Sequence, residues 1–435
     1  MKRRTRGRSP WRGPGFCLLM VMLLAGLAPD AARAQGETQN LPEIPLTHRT
    51  PVAARYAGMG GASLTIADDH SACLANPATL GLVRGIELAA GFSHQDADRE
   101  VRYLGSPTRA EYGKTRFADL GFAYPFPTYR GRFVIGFQYG RISSLDSDFY
   151  QRSPASSDQP FEEEGIYETG GLGAYAVSAA LQVSPNVTLG ASGIILSGDS
   201  FRERTYRYDA SGGGFSDLYE TTDVDISGLT GSVGALVELD PAIRFGLLIR
   251  FPESLDFDGI LYEEIDGEDS AEFSITDEID LPFRLGAGLA LARQNLIVSA
   301  DALFTDWTQV RFAGPVRTVD RENAYRETVD LHFGAEYLIP FSTPVRIRAG
   351  YALQPLAYRL LLTDVQARRY EEARFDRDRY AYTFGLGALL GESLTLDLAY
   401  QHGGYERSAS HPTGLRYREE VTDRRVLATL TLRVN

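Results

Sequence analysis

FRLGAGLALARQNLIVSADALF, Phe283 to Phe304, holds two apolar runs and a short connection between them. Phe283, Leu285, Ala287, Leu289 and Leu291 alternate with Arg284, Gly286, Gly288 and Ala290. After Arg293–Asn295, Leu296, Val298, Ala300, Ala302 and Phe304 oppose Ser299 and Asp301. Period two, with one apolar face and one small or polar face, is the pattern of a strand whose faces meet different media.

The pattern recurs outward in both directions. Before it lie Ile86–Phe92, Leu120–Tyr124, Phe133–Tyr139, Tyr175–Val183, Leu189–Ile195, Leu229–Leu239 and Ile243–Phe251. After it lie Val329–Tyr337, Val345–Tyr351, Tyr380–Ala388, Leu394–Tyr400 and Val426–Val434. That makes about fourteen strands, an even number, as bacterial single-chain barrels have. The connections alternate short and long. Short ones fall near Pro125–Gly131, Ser184–Asn186, Asp240–Pro241, Arg293–Asn295, Pro340–Pro344 and Gly391–Glu392. Long loops are expected near His94–Lys114, Arg141–Gly170, Gly198–Asp225, Pro252–Asp280, Thr308–Arg326, Gln354–Arg379 and His402–Arg425. Outer-membrane barrels sort their loops this way, with short periplasmic turns and long outer loops. A soluble sandwich has no reason to.

Aromatic residues collect where strands meet water, at Tyr124, Phe126, Tyr129, Tyr351, Tyr380, Tyr382 and Tyr400. The polar face must line the lumen, because an arginine at the lipid midplane costs ~2–4 kcal/mol. The fold class expected is all-β, a transmembrane antiparallel β-barrel of about 14 strands in the bacterial outer membrane. Fourteen strands enclose more space than their own side chains fill.

The N-terminus reads as a secretory leader. Lys2, Arg3, Arg4, Arg6, Arg8 and Arg12 precede an apolar run from Phe16 to Ala28, then Ala32-Arg33-Ala34. The expected divisions are a signal peptide at 1–34, a plug segment at 35–84 and the barrel at 85–435. Without the leader the net charge falls from −13 to about −19, a sign that disfavours nucleic acid. Cys73 is left alone, a small buried residue rather than half of a disulfide.

The plug is read from RYAGMGGASLTIADDHSACLANPATLGL, Arg55 to Leu82. Gly58, Gly60 and Gly61 let the backbone pass where side chains could not. Asn76 before Pro77 fixes a turn. The stretch is too short and mixed to build its own core, so it packs inside something else.

With the following barrel, Ala57–Ala62, Asp68-Asp69 and Asn76–Ala78 resemble the FadL/TodX family of outer-membrane hydrophobe transporters. Ala300–Phe312, with its Asp-Trp pair, and Val345–Pro355, VRIRAGYALQP, are similar to strands of that family, the second to its Arg-Gly-Tyr strand. The resemblance implies an N-terminal hatch inside a fourteen-stranded barrel. It implies passive uptake of a hydrophobic small molecule such as a long-chain fatty acid, with sideways exit into outer-membrane lipid at a kinked third strand. Hatch gating would fall to Gly58, Gly60, Gly61, Asp68, Asp69, Asn76 and Pro77. Gly136 and Gly140 stand where the kink is expected, and they could equally relieve crowding against the hatch. The hatch pattern also occurs in PorV-like barrels, which implies an alternative role in docking secreted proteins.

Arg244, Arg284, Arg346 and Arg348 could meet a fatty-acid carboxylate in the lumen, or pair with acids such as Asp301, Glu336 and Asp397. Clustered acids from Asp256 to Asp269 lack EF-hand spacing and read as a solvated loop. His402 and Ser408 faintly resemble a phospholipase pair, yet both fall in an expected loop. No HExxH, phosphate loop or CxxC occurs, so no enzyme, metal or cofactor is expected.

Overall fold

The computed structural model describes residues 48–103, 105–152, 162–209, 214–267, 269–313, 325–364, 369–372, 374–391, 393–410 and 416–434. The expected signal peptide and the start of the plug lie outside them.

Among these residues fourteen strands close a barrel. They are β1 Ile86–Tyr103, β2 Ser106–Phe126, β3 Phe133–Ser144, β4 Glu162–Ser184, β5 Val187–Asp209, β6 Phe215–Asp240 and β7 Ile243–Arg250. The circuit continues with β8 Arg284–Arg293, β9 Leu296–Asp306, β10 Glu327–Ile339, β11 Val345–Gln354, β12 Arg374–Leu390, β13 Leu394–Ser410 and β14 Arg416–Val434. Each is antiparallel to its neighbour, and β1 pairs with β14 from Ile86–Val434 to Tyr103–Tyr417. Closure leaves no open edge among unpaired backbone groups in lipid.

All fourteen expected runs fall on these strands, with Phe251 and Phe283 one residue past the ends of β7 and β8. Their apolar members face outward: Val177, Leu181, Ile195, Leu229, Leu289, Phe384 and Leu430 are exposed, while intervening residues are buried. An exposed belt of leucine, valine and phenylalanine around a polar interior is stable only against lipid. The aromatic residues pack in chains, Tyr124 against Phe126 and Phe126 against Phe133, with Tyr351 and Tyr380 both against Tyr382.

Much of the expected long loops is instead strand. β6 runs for 26 residues, about 85 Å of chain, against an apolar band of about 25 Å. Beyond the short break at Phe251–Pro252, Glu253–Ile265 and Asp269–Leu281 form a hairpin that links β7 to β8. The acids of that stretch are thus spread along two strands. His402 and Ser408 both lie on β13, about 20 Å apart along the strand, too far for a nucleophile and its base.

Candidate functional site

Residues 48–83 lie in the lumen. Their local structure follows from capping. Asp69 accepts from Ser71 N (2.9 Å) and Ser71 Oγ (2.6 Å), starting the 3₁₀ turn His70–Cys73. Asn76 accepts from Ala78 N (3.2 Å) and starts Pro77–Leu82, with Pro77 where a missing N–H costs nothing. A short helix, α1 Ala54–Ala57, runs into Gly60 and Gly61 at φ 67° and 84°.

So many short turns leave backbone groups without partners, and the barrel wall supplies them. Thr429 Oγ1 accepts from Ala54 N (3.0 Å), and Thr383 Oγ1 from Gly60 N (2.8 Å). Asp301 accepts from Ser63 N (2.6 Å) and Leu64 N (2.9 Å). His332 Nδ1 donates to Gly60 O (2.6 Å), and Ser192 Oγ to Cys73 O (2.9 Å). Wall glycines make the recesses: a methyl group on Gly136 would stand 2.6 Å from Cys73 Sγ, and one on Gly140 2.9 Å from Leu74. A side chain at Gly234 would overlap Asn76. Cys73 is fully buried, and burial pushes its thiol up to about 12.

Two charged clusters fasten the hatch. His70 Nε2 donates to Asp119 Oδ2 on β2 (2.7 Å), and Gln138 on β3 donates to Asp119 Oδ1 (2.9 Å). Burial alone would lower the His70 pKa, but the Asp119 carboxylate outweighs it and raises it to about 9. In the second cluster, Arg55 binds Asp68 and Glu336, with Nε 3.1 Å from Oε2 of Glu336. Glu336 is shared with Arg348, whose Nε stands 2.6 Å away and whose Nη1 reaches Asp397 at 2.7 Å. Asn76 also donates to Leu64 O (2.7 Å), stitching the two halves of the hatch. Asn76→Ala is expected to cost about 1–2 kcal/mol of hatch stability through the lost cap, seen as faster amide exchange over residues 64–82.

The four lumen arginines therefore divide. Arg348 is occupied by Glu336 and Asp397, Arg346 lies 3.9 Å from Glu336, and Arg244 lies 3.7 Å from Glu238. Among the described residues Arg284 has no carboxylate within ion-pair distance; it donates to Thr305 (3.2 Å) and lies over the Trp307 ring. Arg250 pairs opposite it across the β7–β8 ladder and binds Leu74 O. Arg49 of the hatch arm binds Glu253. Nearby His48 is held well below its ordinary value, first by burial and then by Arg379, Arg425, His332 and Arg284.

Farther from the short turns than the hatch contacts, the inner wall becomes apolar. Leu172, Leu196, Val224, Ile226, Leu255 and Trp307 are buried there and belong to one cluster with the hatch residues Val52 and Cys73. Sequence reading missed this zone, because Val224 and Leu255 sit in stretches expected to be loops and Leu172, Leu196, Ile226 and Trp307 sit between those stretches and the expected strand runs. Period two persists there, as in Leu172-Ala174-Ala176 and Ile194-Leu196, and was the available signal.

β3 stays in register through Gly136 and Gly140. The irregularity lies just beyond, between Arg141 and Ser143. The β2–β3 ladder ends at Asp119–Gly140, although β2 continues back to Ser106.

No protein-family model and no curated protein matches the chain. Solved structures do. A crystal structure of a Pseudomonas aeruginosa FadL homologue is similar at TM-score 0.66 and 16% identity, over 88% of this chain and 99% of that one. The P. putida toluene transporter TodX is similar at 0.61 and 16%, over 87% and 98%. The CymD monoaromatic hydrocarbon channel is similar at 0.55 and 17%, over 90% and 98%. This chain is an outer-membrane type β-barrel with an internal hatch, and it has the fold of the FadL/TodX barrels whose resemblance its hatch motif carries.

Proposed function

We propose that the chain is a passive channel for hydrophobic small molecules, long-chain fatty acids among them, with residues 48–83 as its gate. One observation supports this most: the apolar inner zone formed by Leu172, Leu196, Val224, Ile226, Leu255 and Trp307. A channel for polar solutes has a polar, water-filled interior, whereas a site for apolar ligands is lined by apolar and aromatic groups with few polar ones. Here the few polar groups are Arg284 and Arg250 at the edge of the zone; among the described residues neither has a carboxylate within ion-pair distance, and Arg250 is taken up by Leu74 O of the hatch, which leaves Arg284. The names of the similar channels, for toluene and monoaromatic hydrocarbons, agree with an apolar cargo. On this reading the ligand settles in the zone with any carboxylate on Arg284. It then leaves between β2 and β3, where the ladder is short.

Cells carrying the protein are expected to take up labelled oleate faster than cells without it, while sugars swell no proteoliposomes. Arg284→Ala should weaken oleate binding about tenfold and leave toluene unchanged, because a charge-assisted hydrogen bond is lost only for the acid. Unchanged oleate and toluene uptake, with a secreted protein captured by the outer hairpins, would favour the PorV-like role instead.

A further inference from the structure

We infer that Arg116 on β2 and Asp146, in the break of β3, form a latch that holds the β2–β3 seam shut, and that the hatch arm is tied to the same seam through Thr50. The inference rests on the uptake reading only for its purpose, since the latch itself is a matter of which groups close the wall.

The seam opens for a local reason. β2 carries a bulge where Gly91 faces Asp119 and Phe92 faces Phe117, so that Ala118 is the extra residue. β3 has its own shift, between Arg141 and Ser143, with Ile142 extra against β4. Bulges bend a strand and increase its twist. These two face each other at the level where the β2–β3 ladder stops. Beyond it, β3 breaks at Leu145–Asp146 and resumes as Ser147–Arg152, paired with β4 and not with β2.

Side chains close what the backbone leaves. Arg116 Nη2 donates to Asp146 Oδ1 (2.5 Å) and Nε to Oδ2 (3.3 Å), a two-pronged contact. Arg116 Nη2 also donates to Thr169 on β4 (2.8 Å), spanning the place where β3 is missing. Asp146 is buried and held by Ser144 Oγ (2.9 Å) and Thr169 Oγ1 (2.8 Å), with Arg141 3.6 Å away. Toward the belt, Phe117 stacks on Tyr139 at 5.8 Å and covers the seam from outside. Above the latch, Thr108 Oγ1 donates to Tyr150 O (2.5 Å), a side-chain link in place of a backbone ladder.

The bulge also exposes a carbonyl to the lumen, and the hatch takes it. Thr50 N donates to Ile142 O (3.0 Å). A hatch arm that withdraws frees the bulged residue four positions from Asp146. The arm and the latch therefore bear on one short segment, Arg141–Asp146.

The test is amide exchange on the folded protein in detergent, read over residues 106–118 and 141–146. Arg116→Gln and Asp146→Asn should each speed exchange there roughly tenfold, the effect of losing a hydrogen-bonded charge pair. Exchange over residues 60–66, held by Thr383, His332 and Asp301 on β12, β10 and β9, should not move. Arg116→Lys, which keeps the charge without the fork, should fall between. Transfer of the fluorescent fatty acid parinarate into the bilayer of proteoliposomes is measured beside it and should quicken in both variants. Exchange within twofold of the parent in both variants overturns the latch, even if parinarate transfer is normal. Faster exchange with no parinarate transfer by any protein upholds the latch and removes the uptake reading.

Discussion

His70→Ala should release the hatch from the wall while the barrel stays folded. Asp119 is fully buried and faces His70 and Gln138. Removing the histidine leaves its charge with one neutral donor, and breaking a buried pair by deleting one partner costs about 3–5 kcal/mol. Amide exchange over residues 64–83 should rise by a factor of roughly one hundred or more, and planar bilayers holding the variant should conduct ions steadily. A variant with the parent's exchange and conductance would show that the pair does not hold the hatch. The parent should respond to pH in a defined sense. The His70 pKa is raised from 6.5 to about 9 in the docked hatch, so protons favour docking. The contribution is complete below about 6.5 and is lost as pH rises through about 9. Exchange over the hatch should therefore accelerate from neutral to alkaline pH, and His70→Ala should flatten that dependence.

Arg348→Ala should produce the second large effect, on the barrel as well as the hatch. Its guanidinium bridges Glu336 and Asp397, and all three are buried. Without it Glu336 keeps Arg55, but Asp397 has no other cation within ion-pair distance among the described residues. The cost expected is again about 3–5 kcal/mol. The temperature at which the folded band converts to the unfolded one on a gel should drop clearly. Arg348→Leu combined with Asp397→Leu should recover much of it, because removing both partners leaves no buried unpaired charge. A double variant no better than the single would mean that the loss comes from packing around the arginine and not from the stranded acid.

The strands were legible because the membrane enforces alternation. Leu285, Leu289 and Leu291 must meet lipid, and Gly286 and Gly288 must meet the hatch, so one run reports both media. Where the strands outrun the belt that constraint ends. Arg202 and Arg204 point toward partners Glu168 and Glu164, while Glu203 and Arg207, of opposite parity on the strand, are also charged. Both faces are polar there, and the stretch looks like loop. The hatch motif was legible for a different reason: Asp69, Asn76 and Pro77 shape their own local backbone. Their partners were not. Asp119 lies 49 residues from His70, and Glu336 lies 281 from Arg55.

The sequence alone determined a lipid-facing barrel, the lipid-crossing part of each strand and a plug at its N-terminus, since each follows from short-range pattern and from the cost of polar groups in lipid. Only the tertiary structure decided which arginines are already neutralised and which glycines are recesses. It also decided where the wall lacks a backbone ladder. Those depend on what closure brings face to face, and closure joins residues that no local pattern connects.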